Sequence, residues 1–265
     1  MNSDTASHTA RSVAAHRLDY ERLPALYGDP AADEALARDV AAGVPPRPGR
    51  MHDYLRARTA FFDRVVINSL DRGIRQVVVG AAGYDGRALR YAKRGVHWFE
   101  VDRPATQADK RERLGRLGLA PRQISFVAAD FTADPVAERL LAAGLHPRKP
   151  ALFLLEGVAV YLDNAVTERV LEQFRQVTPP GSVLAISVST SSDGEARQRF
   201  RERVAALGEP ARSVLPADEA RVLLARAGWR LDDPDGPRRA RLRTAGLLLA
   251  RASCHRPGVT GRVFP

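Results

Sequence analysis

The stretch Gln76-Val77-Val78-Val79-Gly80-Ala81-Ala82-Gly83-Tyr84-Asp85-Gly86-Arg87 decides how the rest of the chain is read. Three valines in a row suit a strand buried on both faces, as in a parallel sheet, where strands read apolar throughout rather than alternating. Small residues then carry the chain into a tight turn, and a helical pattern opens near Asp85. A strand leading through Gly and Ala into a helix lets backbone approach a ligand, and the helix offers free N–H groups to it. The same turn also serves packing alone, so its meaning depends on its neighbours.

Outward from that stretch the chain alternates. Short apolar runs at Val96–Val101, Ile124–Ala128, Ala151–Leu155 and Val183–Val188 predict further strands. Helical spacing predicts helices over 85–94, 104–118, 134–143 and 164–177 between them, with Met51–Arg72 preceding the first strand. Towards the C-terminus, helices near 195–207 and 217–227 and strands at Trp229–Leu231 and Thr244–Ala250 are expected. Strands alternating with helices imply βαβ units and right-handed crossovers, hence an α/β, doubly wound, mostly parallel sheet. Residues 1–50 stand apart. They predict short helices over 9–27 and 31–42 before the breaker run Gly43-Val44-Pro45-Pro46-Arg47-Pro48-Gly49. They are expected to form a helical cap or lid on a ligand-binding domain over 51–265.

Composition excludes several classes. With one cysteine, Cys254, the chain has no internal disulfide and no thiolate zinc cluster. No run of apolar residues is long enough to span a bilayer, and the polar N-terminus lacks the apolar core of a secretory signal. A cytoplasmic protein without a membrane partner is expected. The net charge of +10 invites a nucleic-acid partner. Only Lys93, Lys110 and Lys149 are lysines among 41 basic residues, however, and the arginines are scattered and interleaved with acids. That pattern fits a solvated basic surface.

The predicted strand ends carry the chemistry. About twenty residues after the turn the second strand closes on Glu100-Val101-Asp102, where an acid can accept from both ribose hydroxyls of an adenosine. Asp102 is the better placed, and Glu100 shares its side by strand periodicity. The third strand ends in Asp130-Phe131. There a carboxylate and a ring suit an adenine, although Asp130 equally suits a helix cap. The fourth ends in Glu156, an acid costly to bury unless it is paired or functional. Together these describe an adenosine-containing ligand across one sheet edge. No Gly-Lys-Ser/Thr follows the turn, and its spacing is not G-x-G-x-x-G, which argues against an NTPase and a nicotinamide oxidoreductase. Asp85 would repel a pyrophosphate but could meet the ammonium of an amino-acid tail.

These residues resemble the leucine carboxyl methyltransferase family. The resemblance covers about Arg58 to Trp229 and rests on Arg58-Thr59 with Phe62-Asp63, the Gln76–Arg87 stretch, and Phe99-Glu100-Val101-Asp102-Arg103-Pro104 followed by Lys110. It continues through Ala129-Asp130-Phe131, Glu156-Gly157-Val158 with Tyr161-Leu162, Pro180-Gly181-Ser182, Gly208-Glu209-Pro210 and Ala227-Gly228-Trp229. It implies a class I methyltransferase fold, with seven strands of which the last is antiparallel, and S-adenosyl-L-methionine as cofactor. By the same resemblance Arg58 pairs with the methionine carboxylate and Asp102 with the ribose, Asp130-Phe131 border the adenine, and Glu156 lies at the methionyl end. Gly80, Ala81, Gly83 and Asp85 complete the expected cofactor set. Ala81 replaces the family's first turn glycine, and its methyl crowds the cofactor unless the backbone shifts.

The expected activity is O-methylation, at a carboxylate or hydroxyl, of a small-molecule acceptor. A protein carboxyl methyltransferase and a non-catalytic S-adenosyl-L-methionine-binding protein are the rivals. No catalytic base is named, since no histidine is well placed by sequence; Tyr161 is taken as acceptor-facing. No metal is expected, and a homodimer is compatible with the sequence.

Overall fold

The computed structural model describes residues 8–46, 48–119, 123–189, 213, 215–232 and 247–252. The expected helix near 195–207 and Gly208-Glu209-Pro210 lie outside the described residues, as does Cys254. Seven strands form one sheet: β1 Gln76–Gly80, β2 His97–Asp102, β3 Ile124–Ala128, β4 Ala151–Leu155, β5 Val183–Ser187, β6 Trp229–Leu231 and β7 Leu247–Ala252. Their order is β3-β2-β1-β4-β5-β7-β6. The first five pair in parallel, and β7 runs antiparallel to β5 and β6.

Among the described residues are eight α-helices: α1 His8–Leu18, α2 Pro30–Ala41, α3 Arg50–Asp71, α4 Arg87–Arg90, α5 Pro104–Arg116, α6 Val136–Ala142, α7 Asn164–Gln176 and α8 Ala217–Arg226. Alternation along the strands feeds two cores, because successive side chains leave opposite faces. Val78, Phe99, Phe153 and Leu184 meet α6, α7 and α8 on one side. Val77, Val79, Trp98, Leu152 and Leu154 meet Phe62, Val66 and Leu70 of α3 on the other. A third cluster joins Ala14 and Ala15 of α1 to Leu36 and Val40 of α2, Leu89 of α4 and Leu114 of α5. Among the described residues, no helix is long and apolar enough to cross a membrane.

Two expected helices are shorter than the sequence pattern. The helix expected over 9–27 stops at Leu18. Pro24 cannot continue it, and residues beyond it are drawn into other contacts: Arg22 to Asp63, and the Leu23 carbonyl to the Tyr91 hydroxyl. The helix expected over 85–94 is a single turn, α4, between Gly86 and a turn closed at Gly95 (φ +79°). Its Arg87 and Arg90 both point into ion pairs that fix the turn's position.

β1 lies between β2 and β4, so crossovers leave it in opposite directions. That makes the carboxyl ends of β1, β2 and β4 the switch point, where open α/β sheets bind ligands.

Candidate active site

The turn after β1 is held from β2. The Ala82 amide donates to the Val101 carbonyl at 3.0 Å, and the Gly83 amide donates to Asp102 Oδ2 at 2.6 Å. The Arg103 amide donates to Asp102 Oδ1 at 2.7 Å. Burial pushes the Asp102 carboxyl up, against the pull of those two amides. Gly83 is left-handed (φ +49°), and a Cβ built on it would meet nothing within 4 Å, so the turn opens onto free space there. Ala81 is also left-handed, at φ +50°, a conformation that costs an L-residue roughly 1–2 kcal/mol. The residue in the family's glycine place thus keeps the glycine backbone. Gly80 is explained by packing: a Cβ there would stand 2.6 Å from Leu155 Cδ2 and 3.0 Å from Phe131 Cζ.

Glu100, on the same side of β2 as Asp102, is committed elsewhere. It accepts from Lys110 Nζ at 2.6 Å, and that ammonium also donates to the Asp85 carbonyl at 2.7 Å. Both side chains are buried, and burial raises the Glu100 carboxyl even against its partner.

At the ends of β1 and β4 a dense ion-pair cluster forms. Arg87, wholly buried, contacts three acids: Asp63 at 2.7 Å, Glu156 at 2.6 Å, and Asp85. Arg58 Nε donates to Glu156 Oε1 at 3.0 Å. Arg17 Nη2 stands 3.3 Å from both Asp85 Oδ2 and Glu156 Oε2. Behind them Arg22 grips Asp63 with two nitrogens at 2.6 and 2.9 Å and reaches Asp33 at 3.2 Å, while Arg90 holds Asp33 at 2.6 Å. Asp63 sits on the apolar side of α3, so its charge survives burial only through these partners. Burial alone would raise these carboxyls. The guanidiniums outweigh it, bringing Glu156 down to about 2 and holding Asp85 and Asp63 below the usual carboxylate range.

The remaining predicted residues sit at the flanks. Asp130 Oδ1 accepts from the Thr132 amide at 2.8 Å and from its hydroxyl at 2.6 Å, which holds the carboxyl below its ordinary value. That is a two-residue turn and not a helix cap, since α6 begins at Val136 with Pro135 at its cap; the other oxygen lies 3.4 Å from Arg103 Nε. Phe131 is buried edge-on to Phe174, beside Gly80 and Leu155. Tyr161 lies half-buried in a 3₁₀ turn, Ala159–Tyr161, after Glu156-Gly157.

The structure thus brings Arg58, Asp85 and Glu156 into one cluster and Gly83 and Asp102 into another, along one sheet edge. Sequence reasoning missed Arg17 and Arg22, and gave Asp63 and Arg87, quoted only as part of the resemblance, no role of their own. A visible signal did exist for Asp63, an acid within the apolar run of α3.

The chain's likenesses agree with this architecture. The leucine carboxyl methyltransferase family model matches residues 5–175. A relative from Mycobacterium sp. (strain KMS), named as a candidate S-adenosyl-L-methionine-dependent methyltransferase, is 32% identical over 259 residues, covering 84% of each chain. One of the same description from Parafrankia sp. is 39% identical over 162 residues. That match covers 57% of this chain and about half, 52%, of the relative. Among solved structures, a DUF574 family protein from Streptomyces avermitilis superposes with a TM-score of 0.60 at 17% identity, over 93% of this chain and 97% of that one. A candidate methyltransferase from Thermobifida fusca gives 0.58 at 19%, over 95% and 96%. At these identities the likeness is one of fold.

Proposed function

The chain belongs to the leucine carboxyl methyltransferase family, and from that membership we propose that it is an S-adenosyl-L-methionine-dependent O-methyltransferase acting on a small molecule, at a carboxylate or a hydroxyl. The observation that carries this reading is the pairing of two unlike clusters on one sheet edge. A buried carboxylate and a left-handed glycine beside open space suit an adenosine; guanidiniums interleaved with carboxylates suit a zwitterionic amino-acid tail.

The residues fit the cofactor. Asp102 accepts one amide on each oxygen and meets the Thr106 side chain as well, and its remaining acceptor capacity suits ribose hydroxyls. Arg17 Nε is buried with no hydrogen-bond partner among the described residues, so the guanidinium between Asp85 and Glu156 is incompletely held and can give up that place to the ammonium. Arg58 would take the methionyl carboxylate, Asp85 and Glu156 the ammonium, Asp130 and Phe131 the adenine edge, and Gly80, Ala81 and Gly83 the backbone approach. When bound, S-adenosyl-L-methionine supplies a methyl group on an already activated sulfonium. The chain's task is then to align the acceptor and keep water out. Residues 1–50 serve as the cap that does so, with Tyr161 facing the acceptor. A carboxylate acceptor needs no general base.

The test is calorimetric titration with S-adenosyl-L-methionine, and separately with NADH and ATP. Micromolar binding of the first alone, weakened in Asp102→Ala, is expected. Binding of NADH or ATP instead, or of none of the three, overturns the reading.

A further inference from the structure

Helix α1 touches the site through Arg17, and the residue before it does something different. His16 Nδ1 lies 3.0 Å from Nδ1 of His52 on α3. His16 is 3% exposed, and the two rings meet edge-on at 5.1 Å. The Tyr20 ring stacks along His16, meets His52 edge-on at 5.1 Å, and its hydroxyl donates to the His52 carbonyl at 3.1 Å. At 3.0 Å one nitrogen must donate and the other accept, so the pair exists only while at least one ring is neutral. Two imidazolium rings at this distance repel each other and have no bond to share.

We propose that the His16–His52 pair is a proton-operated latch that seats α1, and with it Arg17, over the methionyl end of the site. Arg17 stands between Asp85 and Glu156, where the cofactor's ammonium would have to stand, so it is a placeholder that must withdraw before the cofactor settles. The orphaned Arg17 Nε marks the seat as provisional. Protonating both rings splits the pair and frees α1. This rests on the cofactor assignment proposed above.

The surroundings set the direction. Asp19, 3.6 Å from His52 Nε2 and largely exposed, favours protonation of His16. Arg17, Arg56 and Arg58 all lie within electrostatic reach of Tyr20. Tyr20 stays a neutral donor, its hydroxyl pushed up to about 12 by burial. Helix α2 presents an apolar face to α1. Burial first, then His52, lowers the His16 imidazole. A ring whose folded value is lowered stays neutral while the released helix takes the proton. Docking is therefore full above the ordinary histidine value of about 6.5 and is lost as pH falls through the lowered one.

Hydrogen exchange of the α1 amides, without cofactor and corrected for intrinsic rates, tests the latch at about pH 7.5 and about pH 5.5. Exchange is expected to quicken about tenfold on acidification. His52→Gln should shrink that step to what the burial of His16 alone contributes, and His52→Lys, permanently charged, should show the fast rate at both values. No step in the wild type, or an undiminished step in His52→Gln, overturns the latch. Stopped-flow association of S-adenosyl-L-methionine tests the gate: faster in the wild type at the lower pH, and fast at both in Arg17→Ala. Loosened α1 with unchanged association, and Arg17→Ala no faster than wild type, overturns Arg17 as the gate. Should S-adenosyl-L-methionine bind no variant at either pH, the cofactor assignment falls, and the exchange result alone decides the latch.

Discussion

Two carboxylates two strands apart on the same sheet edge are held in opposite ways. Asp102 at the end of β2 is gripped by the amides of Gly83 and Arg103, one on the facing turn and the other its chain neighbour. Glu156 at the end of β4 is gripped by side chains: Arg87 from α4, Arg58 from α3 and Arg17 from α1. Backbone amides are fixed by the fold and carry no full charge, so burial keeps the Asp102 carboxyl raised. Guanidiniums bring full charge, and Glu156 falls to about 2. The first grip leaves a carboxylate with spare acceptor capacity; the second ties three helices to one strand end.

The sharpest way to break this contrast is Arg87→Ala. It strands Asp63, Asp85 and Glu156 in the interior, and a loss of about 3–5 kcal/mol in urea unfolding is expected. A loss below about 1 kcal/mol would show that the cluster is solvated rather than structural. Acid should act on the same cluster. Carboxyls held low stabilise the fold above their ordinary values and lose that contribution as pH falls, so unfolding is expected to begin below about 4.5 and to advance towards about 2. Glu100 and Asp102, held high, work in the opposite sense. In Arg87→Ala the transition should move to higher pH, which circular dichroism against pH would record.

Asp102→Ala probes the other grip. It removes two charge-assisted bonds and the acceptor proposed for ribose. Affinity for S-adenosyl-L-methionine should fall about ten- to a hundredfold by calorimetry, while the acid transition moves much less than in Arg87→Ala. The smallest effect belongs to Ala81→Gly. Relief of the left-handed strain exceeds the entropy that glycine loses, so stability should rise by about 0.5–1 kcal/mol, seen as a higher melting temperature. An unchanged or lower one would mean that the Ala81 methyl makes a contact worth more than the strain.

The two grips also explain what could be foreseen. All seven strands were legible because buried parallel strands announce themselves as short apolar runs, and the loop order placed Asp102, Asp85 and Glu156 on one edge. Arg58 came from family resemblance alone, since an arginine on an amphipathic helix reads as surface. Arg17 and Arg22 were not foreseeable, because their partners Asp85, Glu156, Asp63 and Asp33 lie as far as 139 residues away. Charge pairing across such separations leaves no periodicity. The brevity of α4 was hidden for the same reason: Arg87 and Arg90 read as ordinary helix formers until Asp63 and Asp33 are seen across from them. The backbone offers Asp102 its amides whatever the neighbouring side chains are, which is why its place could be read.

The segment between α1 and α2 is sewn to α4. The Asp29 amide donates to the Leu89 carbonyl, and Gly28 lies so close to Arg90 that a Cβ would fall 2.1 Å from its carbonyl oxygen. Gly86 is equally tight against Asp33. Anyone exchanging N-terminal segments between relatives, to retarget such a protein, therefore has to choose the splice with care. A cut at residue 50 would separate partners that were shaped to each other, whereas a cut after Leu18 leaves those close backbone approaches intact and asks that Ala14 and Ala15 of the incoming helix be matched to Leu36 and Val40. The exchangeable part is α1 alone; α2 travels with the sheet.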